Sequence, residues 1–165
     1  MKRAILLVVA AMGLGAWLRA EDAPPQDAEA QVAAIVARPE VTVVHFWAPW
    51  CRNCKTEMRP DGWAKFVQDN PTVKVVFINI WHGGMDGRAE LAAARLGGQE
   101  NFVALTHPNG SRKAGEKVDR FLGLPVAWVP TTWVFRDSRM RYALNYGEVR
   151  FEMLQQMVDD AGRKW

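Results

Sequence analysis

The chain has two cysteines, Cys51 and Cys54, and only two residues separate them. An apolar, β-branched run at positions 41–46 leads into the pair, and a helix-compatible stretch begins at Arg52. The sequence therefore predicts that the Cys-x-x-Cys segment lies where a buried strand passes directly into a helix. Because this strand is apolar on both faces, we expect a sheet that is covered by helices on both sides.

A cysteine at the start of a helix has a distinctive chemistry. The first turn leaves backbone N–H groups unpaired, and the helix dipole places partial positive charge there. Both effects stabilise a thiolate at Cys51. Cys54 lies one turn later on the same side of the helix, within reach of a disulfide with Cys51. We therefore predict that Cys51 is the nucleophile and that Cys54 resolves the mixed disulfide.

Two other interpretations of the cysteine pair are weaker. Half of a zinc site has the same spacing, but a structural zinc ion needs four ligands. The sequence has no second Cys-x-x-Cys, and His45, His82 and His107 show no paired spacing, so no metal site is predicted. A purely structural disulfide is also disfavoured, because so short a loop removes little entropy from the unfolded chain.

The first 20 residues have the features of a secretory signal peptide or of an N-terminal membrane anchor. Lys2 and Arg3 form a basic start, and residues 4–17 form an apolar run. That run is shorter than the about 20 residues that a membrane-spanning helix needs. Ala20 offers a small residue for cleavage, although Leu18 stands where a second small residue is preferred.

The remaining chain is predicted to form one domain. Residues 21–27 contain two adjacent prolines and are assigned to a linker, and residues 28–161 are assigned to the folded domain. Three of the 21 basic residues and none of the 18 acidic residues lie in the leader, so the rest of the chain carries equal numbers of each. This balance gives no reason to expect binding to nucleic acid.

The pattern of apolar residues predicts an alternation of strands and helices. Residues 60–62 (Pro-Asp-Gly) are expected to interrupt the helix that follows the cysteines. The order strand, helix, strand implies a right-handed parallel crossover. The predicted helices cover residues 28–37, 52–59, 63–69, 88–96, 114–122 and 148–161, and the predicted strands cover 41–47, 73–80, 101–105, 131–135 and 140–144, the last two paired antiparallel.

The segment Trp-Ala-Pro-Trp-Cys-Arg-Asn-Cys-Lys, residues 47–55, resembles the active-site segment of thioredoxin-fold oxidoreductases. Val-Pro-Thr-Thr at 129–132 is similar to their cis-proline loop, and an extra strand and helix before it resemble the insertion of TlpA-like, membrane-facing thioredoxins. That group includes reductases that serve cytochrome c maturation. The resemblance covers residues 28–161. It implies an α/β protein with the thioredoxin fold, in which a central mixed β-sheet is flanked by helices and carries a TlpA-like strand–helix insertion.

The resemblance also implies roles for residues around the cysteines. Pro130 is expected to follow a cis peptide bond, the Val129 backbone to pair with a substrate strand, and Trp50 to border the substrate groove. Arg52 and Asn53, between the cysteines, are expected to tune the redox potential. A cation at Arg52 favours the thiolate and makes the protein a better oxidant, unless water screens it.

Two further residues are candidates for proton transfer. His45 lies on the strand beneath the cysteines, at a position where thioredoxins commonly have Asp and TlpA-like relatives often have Asn. As a neutral imidazole it relays the proton of Cys54, and as an imidazolium it stabilises the Cys54 thiolate instead; the remaining alternative is a hydrogen-bonded core histidine without a chemical role. Glu57, three residues after Cys54, matches an acidic residue typical of the TlpA-like active-site helix. It either transfers protons or is a solvated helix residue.

The resemblance implies an enzyme, an exported thiol–disulfide oxidoreductase that exchanges a dithiol for a disulfide with cysteine-containing proteins. We expect a reductase that needs no organic cofactor and has a membrane-bound redox partner. It would lie in the periplasm or be anchored to the outer face of the cytoplasmic membrane. The alternatives are an oxidase or isomerase on the same fold, and a copper metallochaperone that binds Cu(I) through the two thiolates.

Overall fold

The computed structural model describes residues 27–145 and 147–163. The proposed leader, residues 1–20, and the linker other than Asp27 lie outside the described residues. Asp27 begins the first helix, because its side chain accepts a hydrogen bond from the Glu29 backbone N–H. The domain predicted from residue 28 onward can therefore be compared with the structure.

Five strands form one mixed sheet in the order β3-β2-β1-β6-β7. The central strand β1 (Thr42–Trp47) is buried along its whole length. It pairs in parallel with β2 (Lys74–Asn79), which in turn pairs in parallel with β3 (Phe102–Thr106). On its other side β1 pairs antiparallel with β6 (Thr131–Arg136), and β6 pairs antiparallel with β7 (Arg139–Leu144). The five strands are those predicted from the sequence, with small shifts at their ends.

Helices cover both faces of this sheet, as the apolar character of β1 requires. Trp47 on one side of β1 and Phe46 on the other are both almost completely buried, in two separate apolar clusters. None of the helices that the structure describes is long and apolar enough to cross a lipid bilayer. The helices are α1 (Ala28–Val36), α2 (Arg52–Glu57), α3 (Trp63–Asp69), α4 (Arg88–Ala93) and α5 (Phe151–Gly162).

The predicted interruption after the cysteines is present, and it separates α2 from α3. Gly62 makes it possible, because a Cβ atom there would lie 2.0 Å from the backbone oxygen of Glu57. The chain can therefore turn tightly against the end of α2 and begin α3 at Trp63. This turn brings Trp63 back beside Glu57.

The helix predicted for residues 114–122 is wrong. The segment forms turns and then a short hairpin of β4 (Arg120–Phe121) and β5 (Leu124–Pro125). A helix of this length has little stability of its own, so tertiary packing decides its conformation. Gly115 adopts a positive φ of 79°, and Phe121 is fully buried in the cluster that contains Phe46. The predicted insertion therefore consists of α4, β3 and an irregular loop with a hairpin.

Candidate active site

Cys51 is the residue immediately before α2, at the position that caps the helix. Its backbone N–H donates to the Ala48 carbonyl at 2.9 Å, which closes the turn between β1 and the helix. Its Sγ accepts a hydrogen bond from the Cys54 backbone N–H at 3.2 Å. The sulfur thus receives one of the N–H groups that a helix start leaves unpaired, as the sequence predicts.

Cys51 and Cys54 form a disulfide, and their Cα atoms are 5.3 Å apart. Cys51 is 4% exposed and Cys54 is completely buried, so the first cysteine is the one nearer to solvent. The arrangement can therefore present Cys51 to a partner and keep Cys54 behind it. Their roles as nucleophile and resolving thiol remain predictions.

The start of β6 lies at the same edge of the sheet as the end of β1. The antiparallel register places Thr131 opposite Phe46. Val129 and Pro130, which precede Thr131, are therefore close to the segment that carries Cys51. The Val129–Pro130 peptide bond is cis, the isomer that the resemblance implies. Pairing of the Val129 backbone with a substrate remains a prediction.

Trp50, the residue before Cys51, forms one side of a cavity. Its side chain is 37% exposed, and its indole N–H donates to the Trp81 carbonyl oxygen at 2.6 Å. The cavity has a volume of about 340 Å³ and also includes Val129. Trp50 therefore borders a groove, and the binding of a substrate there remains a prediction. We call this cavity the active-site groove; it is lined by Trp50, Trp81, Arg112, Lys117, Trp128 and Val129, with Ala127 completing the wall.

His45 lies under α2, in the core between the sheet and the helices. The register of β1 places it opposite Thr132, and its Nδ1 is 2.9 Å from the Thr132 hydroxyl oxygen. Its Nε2 is 3.3 Å from Glu57 Oε2, although the angles are not those of a formed hydrogen bond. The imidazole also packs against the rings of Trp63 and Phe77. The two residues proposed separately for proton transfer therefore face each other.

Glu57 is buried, so its interpretation as a solvated helix residue is wrong. Its Oε1 accepts the Val149 backbone N–H at 2.7 Å, and its Oε2 accepts the Trp63 indole N–H at 3.0 Å. The carboxyl side chain is 1% exposed. The reason is the turn at Gly62, which folds Trp63 back over the inner side of α2. Glu57 thus connects α2, α3 and the segment before α5.

Burial shifts the pKa values of this pair in opposite directions. It raises the pKa of Glu57 to about 7, and the hydrogen bonds from Trp63 and Val149 oppose the rise. It lowers the pKa of His45 to about 3. Both shifts favour the neutral forms, because a charge loses its hydration in the core. Below neutral pH the proton therefore resides on Glu57, one helical turn from Cys54.

Arg52 and Asn53 are exposed on the first turn of α2. Lys55, on the same helix, approaches Glu90 of α4 at 3.8 Å. The exposure of Arg52 is consistent with either of the two expectations for it, a cation that stabilises the Cys51 thiolate or a charge screened by water. Its influence on the redox potential remains a prediction.

The active-site groove contains two cations that were not predicted from the sequence. Arg112 lies over the Trp50 ring, with its guanidinium carbon 4.1 Å from the ring centroid. Lys117 lies over the Trp81 ring, with Nζ at 4.4 Å. No local pattern could have indicated these contacts, because Lys117 belongs to the segment that was predicted to be a helix and Arg112 lies just before it, while both rings are distant in sequence. Among residues 27–145 and 147–163, no group of three or more His, Cys, Asp or Glu side chains is arranged to hold a metal ion.

The sheet order, the disulfide at the start of the helix after the central strand, and the cis-proline at the adjoining strand define a class of protein. They are the parts of a thioredoxin-fold protein with a redox-active cysteine pair. In such proteins the helix start and the proline loop lie side by side, as they do here.

Comparison with known proteins agrees with this class. The chain is 28% identical to sporulation thiol-disulfide oxidoreductase A of Bacillus subtilis over 176 aligned positions, which cover 96% of this chain and 98% of that protein. No family model matches the chain. The chain is a homologue of that enzyme and is itself a thiol–disulfide oxidoreductase of the thioredoxin fold.

Solved structures share the fold at lower sequence identity. A secreted disulfide oxidoreductase of Mycobacterium tuberculosis, homologous to DsbE of Escherichia coli, has a TM-score of 0.54 at 19% identity and covers 76% of this chain and 85% of its own. A putative thiol:disulfide interchange protein DsbE of Chlorobium tepidum has a TM-score of 0.54 at 21% identity, with 79% and 84% coverage. StoA of Bacillus subtilis has a TM-score of 0.51 at 19% identity, with 73% and 83% coverage.

Proposed function

We propose that this protein is an exported reductase of disulfides in partner proteins. The observation that carries the proposal is the position of Cys51, which begins α2 and lies at the same sheet edge as Val129 and Pro130. A thiolate there is stabilised by the helix start, and an extended partner segment along Val129 would place its own sulfur close by.

The reaction that we propose is dithiol–disulfide exchange in two steps. The Cys51 thiolate attacks one sulfur of a partner disulfide, and the other partner sulfur leaves as a thiolate that takes up a proton. The Cys54 thiol then loses its proton and attacks Cys51, which releases the second partner sulfur. The partner gains two electrons and two protons, and the protein is left with the Cys51–Cys54 disulfide.

The buried pair of Glu57 and His45 supports the second step. Cys54 has to lose its proton although its side chain is completely buried, and Glu57 lies one helical turn away with a pKa raised to about 7. A group with such a pKa can accept or return a proton near neutral pH. We propose that Glu57 accepts this proton and that His45 positions its carboxyl group.

Other observations support the direction of electron flow, the location of the protein and its partners. The TlpA-like segment around the cysteines favours reduction, and the composition of residues 1–20 favours export. The similar protein of Mycobacterium tuberculosis is described as secreted. We propose that the protein acts in the periplasm or anchored at the outer face of the cytoplasmic membrane. The electrons would come from a membrane-bound redox partner, and the cysteine pair would serve as the redox group without an organic cofactor.

The test combines a measurement of the redox potential with the capture of partner proteins. A Cys54→Ala variant cannot resolve the mixed disulfide, so we expect it to accumulate covalent complexes with cysteine-containing proteins of the exported compartment. The Cys51→Ala variant is the control and should capture none. We expect a potential as negative as that of thioredoxin, about −270 mV. A value near that of the strong oxidant DsbA, about −120 mV, would instead establish an oxidase.

Two further outcomes would contradict the proposal. If the reduced protein bound one equivalent of Cu(I) and captured no partner protein, the metallochaperone alternative would replace it. If fusions to the leader stayed in the cytosol, the protein would be an intracellular enzyme and the export part of the proposal would be wrong.

A further inference from the structure

The active-site groove carries a positive charge that the proposed reaction does not use. Arg112 and Lys117 lie in its wall, and both belong to the irregular loop that follows β3. Lys113, on the same loop, approaches the Glu116 carboxylate at 3.7 Å, outside the groove. Within the described residues, by contrast, no carboxylate lies within 4.0 Å of Arg112 or Lys117. The groove therefore presents two cations that no acidic group described in the chain neutralises.

These cations are held in place by the tryptophans beneath them. Arg112 rests on Trp50 and Lys117 rests on Trp81. The two tryptophans are themselves fixed, because Trp50 donates to the Trp81 carbonyl and the Trp81 indole N–H donates to the Val118 carbonyl at 2.7 Å. Cation–π contacts restrict the long side chains before a ligand binds, and this reduces the entropy that is lost on binding.

The groove also offers an apolar surface beside the charges. Trp128 is 58% exposed, the largest exposure of any large hydrophobic side chain in the described chain. It stands next to Val129, whose backbone is the predicted site of pairing with a substrate. A segment that extends along Val129 would therefore pass the indole of Trp128 on its way to Arg112 and Lys117.

From this arrangement we infer that the groove selects partner segments with acidic side chains near the attacked cysteine. The occupant is an extended polypeptide with Asp or Glu beside an apolar residue. Its carboxylates would bind Arg112 and Lys117, and the apolar residue would cover Trp128. The inference rests on the proposed function, because it names the class of substrate for the same site. Charge complementarity of this kind acts mainly on the rate of association.

The test compares peptides of opposite charge. The reduced protein reacts with peptides whose single cysteine carries a thionitrobenzoate group and is flanked by Glu, Gln or Lys, and release of the coloured thiol gives the rate. At low ionic strength we expect the Glu peptide to react about tenfold faster than the Lys peptide. Salt at about 0.5 M should remove most of this preference, because it screens the charges.

For each variant we compare the rate with the Glu peptide to the rate with the Lys peptide. Both rates are measured on the same protein, so a general change in activity cancels in their ratio. Arg112→Glu combined with Lys117→Glu should make the ratio smaller than one, and Lys117→Arg should keep it. Lys113→Glu is the control. It changes the net charge of the same loop by the same amount as Arg112→Glu alone or Lys117→Glu alone. Because Lys113 lies outside the groove, it should leave the ratio unchanged.

Each result separates this inference from the proposed function. Equal rates for Glu and Lys peptides, with rapid reaction of both, would overturn the acidic preference and leave the oxidoreductase function intact. Reaction with none of the peptides would contradict the function itself. Binding to vesicles of anionic lipid, together with equal peptide rates, would show that the two cations bind a membrane surface rather than a polypeptide.

Discussion

The two sides of the helix α2 differ in how much water reaches them. Beneath it, the side chains of His45 and Glu57 are 0% and 1% exposed, and burial governs their charge. Beside it, Trp50 and Trp128 are exposed to solvent. Arg112 lies over the Trp50 ring, and Trp128 lines the same active-site groove. Burial shifts the pKa of a charged group, whereas salt screens a charge that is exposed to solvent. We therefore place the proposed proton transfer beneath the helix and the proposed selection of partners beside it.

The largest effect is expected from removing the buried carboxyl group. Glu57→Ala leaves the Val149 N–H and the Trp63 indole N–H without their acceptor, and each unsatisfied buried donor costs about 1–3 kcal/mol. We expect the free energy of unfolding to fall by about 3 kcal/mol or more. Glu57→Gln keeps one acceptor oxygen and should lose less. Urea unfolding of the three proteins at one pH measures the difference.

A control for this prediction lies on the exposed side of the same region. Glu90 approaches Lys55 at 3.8 Å, and both side chains are partly open to solvent. Exposed ion pairs contribute about 0–1 kcal/mol, so Glu90→Ala should change the stability little. Similar losses for Glu57→Ala and Glu90→Ala would mean that the buried network has no special importance, and the contrast between the two sides would disappear.

The pH dependence of stability is the second prediction. The raised pKa of Glu57 means that the folded protein binds more protons than the unfolded chain between pH 4.5 and about 7, so its contribution falls as the pH rises. The lowered pKa of His45 means that the unfolded chain binds more protons between about 3 and 6.5, so its contribution rises with pH. The two nearly cancel where the windows overlap.

Replacing one residue of the pair should reveal the pH dependence of stability that the other residue contributes. In His45→Asn we expect the stability to fall steadily between pH 4.5 and 7, and in Glu57→Gln we expect it to rise between pH 3 and 6.5. Each slope is at most about 1.4 kcal/mol per pH unit. Urea unfolding at several pH values, at low and at high salt, provides the measurement. Slopes that vanish at high salt would show that water reaches the pair.

The sequence predicts the buried side better than the exposed side. The strand and helix around Cys51 follow from a local apolar run and a helix start, and Pro130 follows from the resemblance. Glu57 and His45 were both identified, but their mutual contact depends on how α2 packs over β1, and Trp63 reaches Glu57 only through the turn at Gly62 that rotates it over α2. No local pattern encodes such a rotation, because it is fixed by packing between elements.

The cations of the exposed groove could not be predicted, although Trp50 and Val129 were expected at its border. Lys117 comes from the segment that was expected to form a helix and Arg112 lies just before it, and the positions of both depend on the rings of Trp50 and Trp81. The predicted helix does not form, although the stretch contains helix-forming residues, because the burial of Phe121 favours turns there. Contacts between a loop and an indole that is distant in sequence are determined by the tertiary structure.

The smallest effect is expected from Arg52, which is exposed on the first turn of α2. A cation there stabilises the thiolate of the reduced form, so Arg52→Ala should make the redox potential more negative. Exposed charges interact by at most about 1 kcal/mol, and about 30 mV corresponds to about 1.4 kcal/mol for this two-electron couple. We therefore expect a shift of at most about 20 mV, measured by equilibration with glutathione.

Salt distinguishes the two expectations for Arg52. If the cation acts on the thiolate through partly screened solvent, the shift should shrink as the ionic strength rises. Arg59→Ala, an exposed arginine beyond the end of α2, is the matched control and should leave the potential unchanged. An equal potential for the Arg52 variant and the parent at low salt would mean that water screens Arg52 completely. The redox potential would then be set by the helix start and the buried groups, without a contribution from the Arg52 charge.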